Sequence, residues 1–107
     1  MFDIPILLIV FNRPDTTKLV LENIRKVQPK ELFVACDGPR KNKFNEEEKV
    51  NSVRNFILNN IDWDCKLYTL FQVDNLGCKK GVSTAINWFF KNIEEGIILE
   101  QFLYFVA

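Results

Sequence analysis

The sequence contains no histidine. That removes the commonest general base and metal ligand, and with them every Ser-His or Cys-His nucleophile scheme. Cysteine is scarce. Cys36, Cys65 and Cys78 are odd in number, widely spaced and form no C-x-x-C pair, which argues against a zinc site or a disulfide framework. The expectation is a cytoplasmic protein in a reducing compartment. Net charge is missing as well: 14 Lys and Arg balance 14 Asp and Glu, so nothing supplies counter-charge for a phosphate backbone, and no nucleic acid partner is expected. The first apolar run is too short for a signal segment or a membrane span, and no charged region precedes it, so no transmembrane segment is expected. With only 4 glycines there is no G-x-G-x-x-G fingerprint. Gly77–Thr84 holds the residue types of a phosphate loop but not the order G-x-x-x-x-G-K-[ST]. Internal repeats and low-complexity segments are absent.

What is present is a well-stocked core, 48% apolar in a chain of single-domain length. Its organising stretch is Ile4–Pro14. Apolar residues run unbroken from Ile6 to Phe11, then Asn12-Arg13 bring polarity abruptly and Pro14 closes the run. A strand covered on one face would alternate; an unbroken run predicts a strand buried on both faces, the mark of a central parallel strand. Its polar tip is either an ordinary turn or part of a site, since open α/β sheets bind ligands at the carboxyl ends of their strands.

After Pro14 the period changes. Val20, Ile24 and Val27 predict one face of a helix, with Pro14 and Asp15 suited to its first turn and Pro29 stopping it. Leu32–Cys36 predicts a second strand ending in Asp37-Gly38-Pro39. The basic run Arg40–Lys43 reads as a solvated turn. Asn45 with Glu48 three residues on predicts a capping box, and Val50, Val53 and Ile57 the buried face of a second helix that ends at Asn59-Asn60. Trp63 reads as an anchor against the domain. Cys65–Gln72 predicts a third strand. A third helix follows Lys79-Lys80-Gly81, with Val82, Ile86, Phe89 and Ile93 inward and Gly96 as its C-terminal glycine. Ile97–Leu99 begins a fourth strand. The order β-α-β-α-β-α-β predicts an α/β fold, a Rossmann-like doubly wound parallel sheet with right-handed crossovers.

Polar clusters fall after the first, second and fourth strands, at Asn12-Arg13, Asp37-Gly38 and Glu100-Gln101. Another, Asp74-Asn75-Leu76-Gly77, precedes the third helix. A parallel sheet brings all of them to one rim, which suggests a polar ligand laid across it. Lys79 and Lys80, in a Gly-bounded loop opening a helix, suit either a diphosphate or solvent. Cys78 beside them has no base or partner thiol and reads as incidental.

Pro5–Pro14, Phe33–Gly38, Asp74–Gly77 with the helix through Asn87, and Gly96–Glu100 together resemble the nucleotide-sugar-binding half of GT-A fold glycosyltransferases. The nearest pattern is that of family-2-like bacterial enzymes, with an echo of the N-acetylglucosaminyltransferase I type. The resemblance covers the chain up to Glu100 and implies strand order 3-2-1-4. It implies that Phe11, Asn12 and Arg13 contact the base and ribose of a nucleoside diphosphate sugar, a UDP-sugar foremost. Asp37 would accept a hydrogen bond from the base, for uracil its ring N–H. Asn75 and Gly77 would shape the loop beside the nucleotide, and Lys80 would contact base or phosphate. In complete relatives the fourth strand ends in a Glu-Asp-Asp motif, whose last carboxylate binds a divalent cation, Mn²⁺ or Mg²⁺, that offsets charge on the leaving diphosphate. Here Gln101-Phe102 stand where the aspartates belong, and Glu100 alone remains as a metal ligand. Residues 1–101 correspond to the nucleotide-sugar-binding half-domain. Residues 102–107 read as a foreign apolar tail, from truncation, frameshift or design. The acceptor half is not part of the pattern, so little transferase activity is expected of this chain alone.

Two other readings compete. A non-catalytic α/β interaction module would self-associate as a homo-oligomer through its apolar C-terminal edge. A nucleotidyltransferase would carry a glycine-rich basic loop after the first strand, which Asn12-Arg13-Pro14-Asp15 does not provide.

Overall fold

The structure, a computed structural model, describes residues 3–100. Along them run β1 (Ile6–Val10), α1 (Pro14–Val27), β2 (Glu31–Cys36), α2 (Glu46–Asn59), β3 (Lys66–Phe71), α3 (Cys78–Asn92) and β4 (Ile97–Glu100). Every strand pair is parallel, in the order β3-β2-β1-β4. This is the Rossmann-like α/β sheet that the sequence predicts. Gln101 and the tail at 102–107 lie outside the described residues.

The unbroken apolar run has its expected cause. β1 lies between β2 and β4, and all five of its residues are buried. β2 is also central and is buried from Leu32 to Cys36. The outer strands β3 and β4 are half-covered, and β3 keeps exposed positions such as Lys66 and Tyr68.

Alternate side chains of β1 and β2 serve two separate cores. Ile6, Leu8, Val10, Leu32, Val34 and Cys36 pack with Leu21 and Ile24 of α1 and with Val50, Val53 and Ile57 of α2. On the other face, Leu7, Ile9, Phe33 and Ala35 pack with Ala85 and Phe89 of α3. Phe33 stacks on Tyr68 at 4.6 Å and meets Trp88 and Phe89 edge-on at 5.3 and 5.1 Å. Trp63 anchors the lower end as expected, with its indole N–H donating to the Pro29 carbonyl at 2.9 Å.

Three local expectations need correction. The buried stripe of α1 is Thr17, Leu21 and Ile24, about one residue round from the predicted face, and Val27 is 43% exposed. The capping box at Asn45 does not form: Asn45 has φ 60° and caps nothing with its side chain. The neighbouring Glu46 engages Arg40 instead, and a two-point arginine–carboxylate pair outweighs an exposed local cap. Gly96 is not a left-handed helix stop, because α3 ends at Asn92 with Ile93 extended. A Cβ on Gly96 would stand 2.3 Å from the Phe89 ring, so close packing is what requires the glycine. Among the described residues no helix is long and apolar enough to cross a membrane.

Candidate functional site

The carboxyl ends of β1, β2 and β3 and the first turn of α3 enclose a cavity of about 350 Å³. Its floor is apolar. Ile9, Ala35 and Leu70 come from the sheet face that α3 covers, and Val82 comes from α3 itself. Its mouth is polar and carries Asn12, Arg13, Arg40, Gln72 and Asn75. A concave apolar slot with a few convergent polar groups is the usual form of a small-ligand site.

Asp37 builds one wall. Its Oδ1 accepts hydrogen bonds from the backbone N–H groups of Gly38 and Leu76, both at 2.8 Å. Its Oδ2 accepts from the Gly77 N–H at 3.1 Å and the Asn75 amide at 3.2 Å. A carboxylate has about four acceptor positions, so Asp37 is fully engaged within the protein. The effect is to pin the β3–α3 loop onto the end of β2. The Asn75 amide adds a second tie to the Gly38 carbonyl at 2.7 Å. The approach is so close that a Cβ on Gly38 would meet the Val73 and Asp74 backbone at 2.5 Å. Gly77, the residue before α3, has φ 90° and ψ 158°, a region open essentially to glycine alone.

A second network holds the opposite wall. Glu46, the first residue of α2, is only 4% exposed. Its Oε1 accepts from the Arg40 backbone N–H at 2.8 Å and Arg40 Nε at 2.9 Å. Its Oε2 accepts from Arg40 Nη2 at 2.6 Å and from the Asn12 amide at 3.2 Å. The Arg40 side chain is the main cause that pulls the Glu46 carboxyl down to about 2, against the opposing effect of burial. The same pair raises the Arg40 guanidinium above its ordinary value. That guanidinium also lies over the Phe11 ring, 5.9 Å from its centroid. Glu46 thereby ties the end of β1 to the loop after β2.

Arg54 of α2 clamps the strand ends from below. Its Nη2 donates to the carbonyls of Gln72 at 2.7 Å and Asp37 at 3.0 Å, and its guanidinium lies 5.0 Å from the Phe71 ring centroid. Its Nε donates to Cys36 Sγ at 3.4 Å. Burial pushes the Cys36 thiol up, with Arg54 working against it.

The residues picked out from sequence fall into three groups. Phe11, Asn12, Arg13, Asp37, Asn75 and Gly77 all line the cavity. Lys80 lies outside it, in an adjoining open groove with Lys79 and Ser83, which shares Gly77 and Cys78 with the cavity. Glu100 lines neither, although its register partner Ile9 belongs to the floor. Among the described residues no three metal-ligating side chains come together. The described donor set does not fit a divalent cation. Sequence reasoning missed Arg40, Glu46 and Gln72. Arg40 was hidden in a basic run that looked solvated, and Glu46 looked like one of three acids opening a helix. The hydrophobic residue frame around Glu46 carries no signal that it turns inward.

Comparison of the chain with protein-family models, curated proteins and solved structures finds no match.

Proposed function

We propose that this chain binds a nucleoside diphosphate sugar, a UDP-sugar foremost, at the carboxyl edge of its sheet, as the nucleotide-binding part of a GT-A type glycosyltransferase. One observation carries the reading: an apolar slot with a polar mouth lies over the strand ends, beside the amino end of α3. The slot suits a planar base, with Phe11 at its edge. Asn12 and Arg13 at the tip of β1 suit the ribose and its phosphate. The amino end of α3 has no acidic residue in its first turn, so the helix dipole there favours an anion, and Lys79 and Lys80 add charge in the adjoining groove. Asp37, with four internal donors, acts as organiser of the loop, and a base N–H would have to share an oxygen already engaged.

In such enzymes an acceptor hydroxyl attacks the anomeric carbon and the nucleoside diphosphate leaves. Asp37 is the cavity's one carboxylate among the described residues, and its engagement leaves no general base for that step. The reading is therefore of binding, with turnover dependent on other parts. Calorimetric titration with UDP, with and without Mn²⁺, tests it. UDP binds the unaltered chain, and Arg13→Ala weakens binding about tenfold, the loss of one charged hydrogen bond. No heat from UDP sinks the reading; equal heats from both proteins remove Arg13 from it.

A self-associating module is the second reading. It rests on β4, a half-buried strand that pairs with β1 alone among the described residues. Light scattering that shows a monomer at high concentration eliminates it.

A further inference from the structure

We propose that Arg40 is the anion anchor of the cavity, and that Glu46 is the positioning residue that presents it. Three observations converge. Arg40 and Arg13 both line the cavity, and the carboxylate they share it with, Asp37, already holds four donors. Two arginines therefore accompany one carboxylate in the lining, and Glu46 behind it pairs with Arg40. Next, the Arg40–Glu46 pair is asymmetric. The Glu46 side chain is 5% exposed and that of Arg40 is 45% exposed, so the pair buries its acid and shows its cation. Finally, Glu46 takes only part of the guanidinium. Nε and Nη2 donate to it, whereas Nη1, with two N–H donors, makes no hydrogen bond among the described residues.

A guanidinium gripped in this way has lost its rotamer freedom before a ligand arrives. Its planar fork is set on Phe11 from one side and on Glu46 from another. Arginine presents paired donors that match phosphate oxygens, so the ligand group is a phosphate or diphosphate. A mobile surface arginine would have to be ordered at each binding event, and a preorganised one does not. The anchor deepens the nucleotide reading by naming the group that takes the phosphates. It rests on that reading only for what the phosphates are attached to.

Calorimetric titration of the full chain with pyrophosphate, UDP and uridine separates the parts. Arg40→Gln is expected to weaken pyrophosphate and UDP by about 10- to 100-fold, the range for a charged hydrogen bond, and uridine by much less. Arg40→Lys keeps the charge without the fork and is expected to lose about tenfold, which covers the case in which the glutamine variant does not fold. Glu46→Gln gives the decisive sign. It removes one negative charge from beside the site, so simple electrostatics makes pyrophosphate bind more tightly. Loss of positioning makes pyrophosphate bind several-fold more weakly. Tighter binding by Glu46→Gln overturns the positioning role, and unchanged pyrophosphate affinity in both Arg40 variants overturns the anchor. Pyrophosphate binding that depends on Arg40, with no added affinity from uridine in UDP, upholds the anchor and sinks the nucleotide reading instead.

Discussion

The two faces of the sheet are covered unequally. Two helices, α1 and α2, lie over the face that carries Leu8 and Val34, and Leu21, Ile24, Val50, Val53 and Ile57 close it completely. The other face has α3 alone among the described helices, and Ala85 and Phe89 are the helix residues fully buried there. A single helix about 10–12 Å across cannot cover four strands spaced about 4.8 Å apart. The uncovered part at the carboxyl edge is the cavity, floored by Ile9, Ala35 and Leu70. The site is therefore a product of incomplete packing on one face, made possible by rigid packing on the other.

The largest test of that difference is Phe89→Ala. Phe89 is fully buried and holds the lone helix against Phe33 and Gly96. Its loss is expected to cost about 3–5 kcal/mol in urea unfolding. Ile57→Ala on the two-helix face is expected to cost less, about 2–5 kcal/mol, because it removes a smaller side chain. The reverse order would break the comparison.

Adding volume should separate the faces further. Val34→Phe overfills a closed core and is expected to destabilise by about 1–3 kcal/mol. Ala35→Leu, one residue along and facing the cavity, grows into open space. It is expected to change stability by less than about 1 kcal/mol and, on the proposed nucleotide reading, to abolish UDP binding. Equal destabilisation by the two substitutions would mean that the cavity floor is as tightly packed as the closed face.

The smallest effect concerns acid. The Glu46 carboxyl lies near 2 when folded, below its ordinary 4.5. A group depressed on folding contributes stability that is fully present above the unfolded value and fades as pH falls toward the folded one. Stability from this pair is thus lost between about pH 4.5 and pH 2. Urea midpoints measured across that window are expected to fall less steeply for Glu46→Gln than for the unaltered chain. Parallel slopes would show that the wall of the cavity does not depend on this pair.

The fold was more legible in the sequence than the site was. The run Ile6–Phe11 announced a strand buried on both faces, and Val50, Val53 and Ile57 are the buried face of α2 as their spacing predicts. Burial periodicity is a local signal, written within each element. The same signal was less sharp in α1, where Thr17 replaced Val27 on the buried stripe. A threonine can be buried as well as a valine, and hydrophobicity alone does not reveal which one faces inward. For the site, the polar tips of the strands pointed to the right rim, and six of the seven proposed ligand residues line one cavity. What they do there was not legible. Asp37 stood out as a carboxylate at a strand end, yet three of its four partners are backbone N–H groups, which leave no side-chain signal in the sequence.

The sequence by itself determined the order of elements, the parallel sheet and the edge on which polar residues gather. Each follows from local periodicity and from the chirality of β-α-β crossovers. Tertiary structure decided which polar residues are engaged and which face the cavity. Asn12 meets Glu46 across 34 residues of chain, and Asp37 meets Gly77 across 40. Such pairs are selected by the register of the sheet and the placement of helix ends, so no short window of sequence contains both partners. That is why Glu46 passed for one of the acids of a helix's first turn until the fold closed around it, and why Arg40 looked like part of a loop.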